Sequence, residues 1–398
     1  MKIRVGVFFG GKSVEHEVSV ISALQACRSL NTEKYEIIPI YITKNTEFYI
    51  GENIGKIEAY RNIPALLKES SRVIPVGNGS TVELLNYPMK KFGNNVAAVI
   101  DVALPVVHGT NVEDGALQGY LQTLGIPYAG CDVLSSALGM DKYAMKCVFA
   151  DNGIPVLPGT VINVKEYTSA QDAVLDMIES KTQYPVIVKP VNLGSSVGIR
   201  KAKDREALAD ALDYAFTFSI KVLVENAITD LKEINCSVLG DYEHAEASEC
   251  EEPVANDEIL SYQDKYVGGT KSSGGKSGMA SLKRKIPADI TPEMREEVRT
   301  LAVKAFRSLG CSGVSRIDFM LDQSTGKIYL NEINTIPGSL SFYLWEPVGV
   351  KYSELLDRMI NLAFKREREN KSISFSFDTN ILENASFGGS KGAKGGKM

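Results

Sequence analysis

Arg316-Ile-Asp-Phe-Met-Leu321 and, after a polar gap, Tyr329-Leu-Asn-Glu-Ile-Asn-Thr-Ile-Pro-Gly338 decide how this chain is read. Both runs have strand character, and Thr325-Gly326 between them suits a turn. Side chains alternate sides along a strand, so Arg316 and Asp318 share a face, as do Glu332 and Asn334. A hairpin folded here sets Asp318 across from Glu332 and Arg316 across from Asn334, with cross-strand neighbours about 5 Å apart. Two carboxylates and an amide that close call for a cation, and all-oxygen ligands suit Mg²⁺ completed by phosphate oxygens. The neighbouring Arg would stabilise negative charge that develops during a reaction. The plain alternative is a surface hairpin with scattered charges.

Bulk properties limit what surrounds this hairpin. A length of 398 residues suggests two or three domains. With 44% hydrophobic and 23% charged residues, the chain reads as soluble and globular. A net charge of −5 argues against a nucleic-acid partner. No apolar run approaches the roughly 20 residues that span a bilayer. Val96–Val107 comes nearest, and Asp101 and Pro105 interrupt it. The N-terminus enters a strand-like run at once, without the layout of a signal peptide. Cys27, Cys131, Cys147, Cys236, Cys250 and Cys311 are scattered, with no Cys-x-x-Cys pair, as expected of reduced thiols in the cytoplasm. Three histidines make a zinc site a poor expectation.

Ile3–Phe9 predicts a strand ending in Gly10-Gly11, followed by a helix over about 18–30, a strand over Tyr35–Ile42 and a third, buried strand over Val96–Val107. A helical pattern over 114–124 leads to a short strand at 127–129. Alternating strands and helices predict a parallel sheet covered on both faces, with ligands at the carboxyl ends of its strands. This first α/β domain is placed at 1–130. One long helix, 134–152, opens a second unit (131–228), with strands near 160–163, 185–189 and 222–225. A third unit (229–370) is richer in strand signal. Its stretch 256–281 is polar and rich in Gly, Ser and Lys, as in a mobile lid or a disordered insert. Residues 371–398 read as a largely disordered tail.

Gly6-Val-Phe-Phe-Gly-Gly11-Lys12-Ser13 satisfies the letter of the P-loop pattern. A phosphate-cradling loop must follow its strand, however, and here the first Gly lies inside the strand. Lys189-Pro190, ending a buried strand and followed by Asn192-Leu-Gly194-Ser195-Ser196-Val-Gly198, is the better phosphate site. Glycines allow close backbone approach, successive N–H groups form an anion nest, and the Lys adds a point charge. By itself the loop favours that reading only slightly over a tight turn beside a snorkelling Lys. With the carboxylate hairpin downstream it points to ATP.

Taken in order, the motifs Gly10-Gly-Lys-Ser-Val-Glu15-His-Glu-Val-Ser19, His108-Gly with Glu113-Asp-Gly115, Met140-Asp-Lys142, Val188-Lys189-Pro with Gly194–Gly198, Asp264-Lys265-Tyr266 and the Arg316–Gly338 hairpin resemble the D-alanine–D-alanine ligases of the ATP-grasp superfamily. The resemblance runs from about Lys2 to Phe364. It implies an ATP-grasp fold behind an N-terminal Rossmann-like domain. It also implies a cytoplasmic homodimer that uses ATP and two Mg²⁺ ions, with Mn²⁺ as a substitute, and D-alanine as the small-molecule substrate for peptidoglycan precursors. By matching positions, it makes Asp318, Glu332 and Asn334 metal ligands, and gives Arg316 and the Gly338 amide the oxyanion. Lys142 and Lys189 would hold phosphates, and Ser196 would cap the transferred one. Glu225, Asn226 and Ile228 would meet adenine through the backbone, and Glu233 the ribose. Glu15 would bind the first ammonium, with Ser195 and Tyr266 tying it to the closed lid. His108 would touch the first substrate, and Lys265, Tyr343 and Leu344 the second. Without the resemblance, Glu15 reads as a charge at a helix N-terminus, His108 as a structural hydrogen-bonder, and Lys265-Tyr266 as a solvated segment.

Three departures fall on the substrate side. Tyr343 stands where the family usually has Ser, Thr110-Asn111-Val112 replaces a glycine-rich run, and 268–281 extends the lid. They keep open an alternative acceptor such as D-serine, a hydroxy acid or another amine.

Overall fold

The computed structural model describes residues 2–254 and 284–376. The expected lid, with Lys265 and Tyr266, and the tail from 377 onward lie outside the described residues.

Three sheets organise the described residues. In the first, β1 (Ile3–Gly10) lies parallel to both β2 (Tyr35–Ile42) and β7 (Val102–Pro105). The expected parallel sheet is therefore real at its centre but incomplete. The segment 48–86 adds β3 (Phe48–Ile50), β4 (Ser71–Asn78) and β5 (Thr81–Asn86), all antiparallel. β4 alternates between buried and exposed positions and is exposed at its end, so it offers no continuous apolar run. The single strand expected over Val96–Val107 is two: β6 (Val96–Ile100) pairs with β5, while β7 pairs with β1. Only Asp101 separates them. The sheet order β6-β5-β4-β3-β2-β1-β7 therefore curls until its edges meet there. Asp101 fastens the corner by accepting from the Arg4 backbone N (2.8 Å) and guanidinium (3.0 and 2.6 Å).

The second sheet, ordered β10-β9-β11-β8, is antiparallel throughout: β8 (Gly159–Asn163), β9 (Val186–Pro190), β10 (Arg200–Ala202) and β11 (Lys221–Asn226). Helices Gln171–Glu179 and Arg205–Phe216 pack Leu175, Ile178, Leu208 and Leu212 against Val186, Val188, Val222 and Val224, in a core of its own. The third sheet is also antiparallel, ordered β14-β13-β12-β15-β16. It comprises β12 (Leu231–Gly240), β13 (Ala245–Pro253), β14 (Arg284–Lys285), β15 (Gly313–Asp322) and β16 (Lys327–Asn334).

Two expectations about helices change. The long helix over 134–152 is two, Val133–Met140 and Lys142–Asp151. Asp141 between them is extended (φ −84°, ψ 102°), and its carboxylate caps the second helix by accepting from Tyr143 N and Ala144 N, both at 3.0 Å. Met145, Phe149 and Ile154 pack into the core of the third sheet, so the segment expected to open the second unit joins the third by packing. The last helix, Tyr352–Lys371, buries Leu355, Leu356, Met359 and Ile360 in the core of the first sheet. The first and third units thus share apolar contacts, and the second stands on its own core.

Candidate active site

The hairpin has the expected register. β15 and β16 pair Arg316 with Asn334 and Asp318 with Glu332, and a bulge follows at Asp318/Phe319. The row extends further than the hairpin. Asn235 on β12 lies opposite Asp318, and Glu251 on β13 lies opposite Asn235. Four adjacent strands thus carry Glu251, Asn235, Asp318 and Glu332 as one polar rung. Arg316 grips Asp318 with Nε (2.6 Å) and Nη2 (2.7 Å), and Asn334 Nδ2 donates to the same carboxylate at 3.0 Å. Glu332 pairs with Lys142 at 3.1 Å, whose Nζ also donates to the Leu193 carbonyl at 2.7 Å. The Asp141 break places Lys142 here, at the first position of its helix.

Two cavities meet on this rung. The smaller is lined by Glu15, His108, Ser195, Arg316, Asn334 and Gly338. The larger is lined by Lys189, Ser196, Glu225, Asn226 and Ile228. Lys142, Glu233, Asp318 and Glu332 line both. The two spaces therefore share one wall of carboxylates and lysine. The P-loop-like Gly6–Ser13 takes no part: Val7, Phe8 and Phe9 are wholly buried inside β1.

In the larger cavity Lys189 emerges from β9, ion-paired with Glu225 and donating to Asn331 Oδ1 at 3.2 Å. Glu225 is also paired with Lys146, one helical turn after Lys142. Burial alone would raise the Glu225 carboxyl, and Lys189 and Lys146 together hold it below its usual range. Burial and the nearby Lys189 push the Lys146 ammonium down to about 8. The Glu225 side chain thus fixes two lysines, a job beyond the backbone contact expected of it. Lys146 was not foreseen, although its spacing of four from Lys142 was a usable signal. In the loop after β9, Ser195 and Ser196 both adopt the left-handed conformation (φ 54° and 59°), a costly arrangement for residues with a Cβ, of the kind that clusters at ligand clamps.

In the smaller cavity Glu15 precedes helix His16–Ser29 and accepts from Ser195 Oγ. Its carboxylate is pressed between two glycines. A Cβ on either Gly109 or Gly194 would come within 2.9 Å of Glu15 Oε2. His108 is buried with both ring nitrogens engaged, Nδ1 on the Ile336 carbonyl (2.8 Å) and Nε2 on Ser22 Oγ (3.0 Å). Burial pushes its pKa down to about 4, so the ring is neutral. It borders the cavity, yet its polar atoms hold the Ile336 loop. Glu113 was quoted in a motif but given no role. It accepts from Gly109 N and Ile336 N, both at 2.9 Å, and burial together with Glu15 pushes it up to about 8.

Tyr343 and Leu344 depart from expectation: neither lines either cavity. Leu344 is wholly buried beside Ile286. Tyr343 donates from its hydroxyl to Glu251 Oε1 (3.3 Å), and the Arg284 guanidinium lies 4.0 Å from its ring centre. Glu251 and Arg284 do line the smaller cavity. They were missed because Glu251 reaches the site through β12–β13 pairing and Arg284 through β13–β14 pairing, the two lying 33 residues apart in sequence. Among the described residues no three Asp, Glu, His or Cys side chains gather to hold a metal. The predicted set has two carboxylates, Asp318 and Glu332, with the Asn334 amide as third member. Oxygen donors on adjacent strands fit a hard divalent ion shared with phosphates.

The chain is similar to known proteins in both of its halves. The family description "D-ala D-ala ligase N-terminus" matches residues 4–131, and "D-ala D-ala ligase C-terminus" matches 148–361. A D-alanine–D-alanine ligase of Acetivibrio thermocellus is 41% identical over 380 residues, covering 93% of this chain and 98% of its own. One from Caldicellulosiruptor bescii is 42% identical, covering 94% and 99%. Among solved structures, the D-alanine–D-alanine ligase of Coxiella burnetii superposes with a TM-score of 0.76 at 28% identity, covering 93% of this chain and 96% of that one. The VanG D-Ala:D-Ser ligase of Enterococcus faecalis gives 0.73 at 33%, covering 91% and 100%. Matched in both halves and along 93% of its length, the chain belongs to the D-alanine–D-alanine ligase family and has its ATP-grasp fold.

Proposed function

We propose that this enzyme joins two D-alanines into D-alanyl-D-alanine at the expense of ATP, through an acyl phosphate, for peptidoglycan precursors. The observation that carries the reading is the polar rung shared by two cavities, with Lys142 facing both. A carboxylate is a poor electrophile because its charge repels nucleophiles. Its oxygen attacks the terminal phosphorus of ATP, ADP leaves, and the acyl phosphate is neutral at the carbon to be attacked. The amine of the second amino acid then adds to that carbon and phosphate departs.

In this reading Lys142 and Lys189 hold the phosphates from the larger cavity, with the Ser196 loop over the transferred group. Glu225, Asn226 and Ile228 border adenine, and Glu233 the ribose. Glu15, steadied by Ser195, receives the first ammonium. Arg316 and the Gly338 amide face the oxyanion of the tetrahedral intermediate. Asp318, Glu332 and Asn334 would hold divalent ions, two Mg²⁺ with Mn²⁺ as substitute, which offset phosphate charge. His108 supports the first-substrate pocket through Ile336. Lys265 and Tyr266, outside the described residues, are assigned to closure over the site and to the second substrate. The same reading makes the enzyme a cytoplasmic homodimer. Six free cysteines support a reducing compartment, and sedimentation would measure the subunit count.

Mass spectrometry of products from ATP, D-alanine and a panel of D-serine, D-lactate and simple amines tests the function. D-alanyl-D-alanine should dominate every mixture, with ADP release dependent on D-alanine. A mixed product in excess would transfer the assignment to another acceptor.

A further inference from the structure

Two amino acids must enter the smaller cavity if the ligase reading holds, and each brings a carboxylate. The first is consumed as the acyl phosphate. The second passes unchanged into the product, and its amine is aimed only if that carboxylate is held. Among the described residues, the Lys and Arg side chains lining this cavity are Lys142, Arg316 and Arg284. Lys142 also faces the larger cavity and pairs with Glu332. Arg316 is clasped by Asp318 in the middle of the rung, where the reacting carbon would lie. Arg284 stands at the far end of the rung and lines the smaller cavity but not the larger.

Its placement is built from three sides. Arg284 opens β14 opposite Pro253, and Glu251 shares the Pro253 face of β13. Glu251 Oε2 takes Arg284 Nη1 at 2.8 Å. Glu251 Oε1 accepts from Asn235 Nδ2 at 3.0 Å and from the Tyr343 hydroxyl at 3.3 Å, so the carboxylate cannot swing. The Tyr343 ring lies beneath the guanidinium at 4.0 Å. The Arg284 and Glu251 side chains are only 10% and 2% exposed. A planar guanidinium held in so dry a setting matches a carboxylate in shape and charge.

We propose that Arg284, steadied by Glu251 and Tyr343, anchors the carboxylate of the second amino acid and so selects acceptors that carry one. The assignment rests on the ligase reading above. Glu251 and Tyr343 are positioning residues in it, and the Tyr where the family usually has Ser becomes the platform of a different anchor.

The test is a competition between D-alanine and D-alaninamide. The amide has no carboxylate to phosphorylate, so it can enter only as acceptor, and mass spectrometry separates the two products. Wild type should make almost only the free-acid dipeptide. Arg284→Met should shift the product ratio toward the amide by roughly tenfold or more, because the site no longer rewards the carboxylate. The KM for acceptor D-alanine should rise while those for donor and ATP hold. Arg284→Lys, which keeps the charge and loses the fork, should fall between. Tyr343→Phe, which keeps the ring, should stay near wild type, and Tyr343→Leu should move toward Arg284→Lys. An unchanged ratio in folded Arg284→Met overturns the proposal. If that variant fails to fold by circular dichroism, an unchanged ratio in Arg284→Lys does so. A wild type that makes no dipeptide from D-alanine would overturn the ligase reading and this anchor together, whereas an active wild type with insensitive variants removes the anchor alone.

Discussion

Glu332 faces Asp318 across the hairpin and pairs with Lys142, so its charge matters more than its bulk. Glu332→Gln keeps the shape and removes that charge. We expect kcat to fall by roughly a hundredfold or more, since charge stabilisation is the main work at such a centre. Its side chain is 21% exposed, so the melting temperature should move by only a few degrees. Steady-state rates at ordinary Mg²⁺ alongside a thermal melt check both, and a wild-type rate would remove Glu332 from the metal set. This residue was legible in the sequence because strand geometry has period two. Once Arg316–Asn334 is read as a hairpin, Asp318 and Glu332 can only be neighbours. Glu251 and Arg284 had no such handle. Their meeting depends on which strands pair, and no local spacing encodes that.

The break at Asp141 shows the same limit for elements. Apolar periodicity runs on through 134–152, so it predicts one helix, yet the carboxylate of Asp141 serves the N-terminus of a second. An Asp can sit inside a helix or cap one, and periodicity does not distinguish the two. The break starts a new helix with Lys142 at its first position, turned toward Glu332 and the Leu193 carbonyl. Asp141→Ala should cost about 1 kcal/mol through the lost cap. The pair with Lys221, its two side chains 29% and 28% exposed, is a smaller addition to that loss. The functional effect should be larger than the stability effect, with KM for ATP raised several-fold because Lys142 loses its fixed origin. Urea denaturation and ATP titration at saturating D-alanine measure the two separately. An unchanged ATP KM would show that the helix start holds without its cap. The first sheet was legible only in part for a related reason. β1 and β2 are mostly apolar runs, each with one charged residue near its start, while β3–β5 are short or alternating strands that only curling of the sheet assembles.

At the scale of the molecule, the first and third units are joined through a buried knot in which Glu113 receives Gly109 N and Ile336 N, and His108 holds the Ile336 carbonyl. Both groups are neutral when buried, and they titrate in opposite senses. The Glu113 pKa is pushed up to about 8 by burial and then by Glu15, with Cys131 adding to the rise, while the two amides oppose it. Its contribution to stability is therefore complete below the ordinary carboxyl value and is lost as pH rises toward 8. The His108 pKa is pushed down to about 4 by burial, so its contribution is complete above its ordinary value of 6.5 and is lost as pH falls toward 4. The two slopes oppose one another in mildly acid solution, and between pH 6.5 and 8 only that of Glu113 remains. The Cys131 thiol, lowered to about 7 mainly by its hydrogen bond with Cys311, titrates in the same range, but it largely cancels in a comparison of variants. Melting temperatures of wild type and Glu113→Gln, taken every half unit from pH 6.5 to 8.5, isolate the effect. The advantage of wild type over the variant should shrink steadily across that window as ionised Glu113 is forced against Glu15. A constant difference would mean that the Gly109 and Ile336 amides keep Glu113 charged at all these values, and the junction would then be held by an anion instead of a neutral acid.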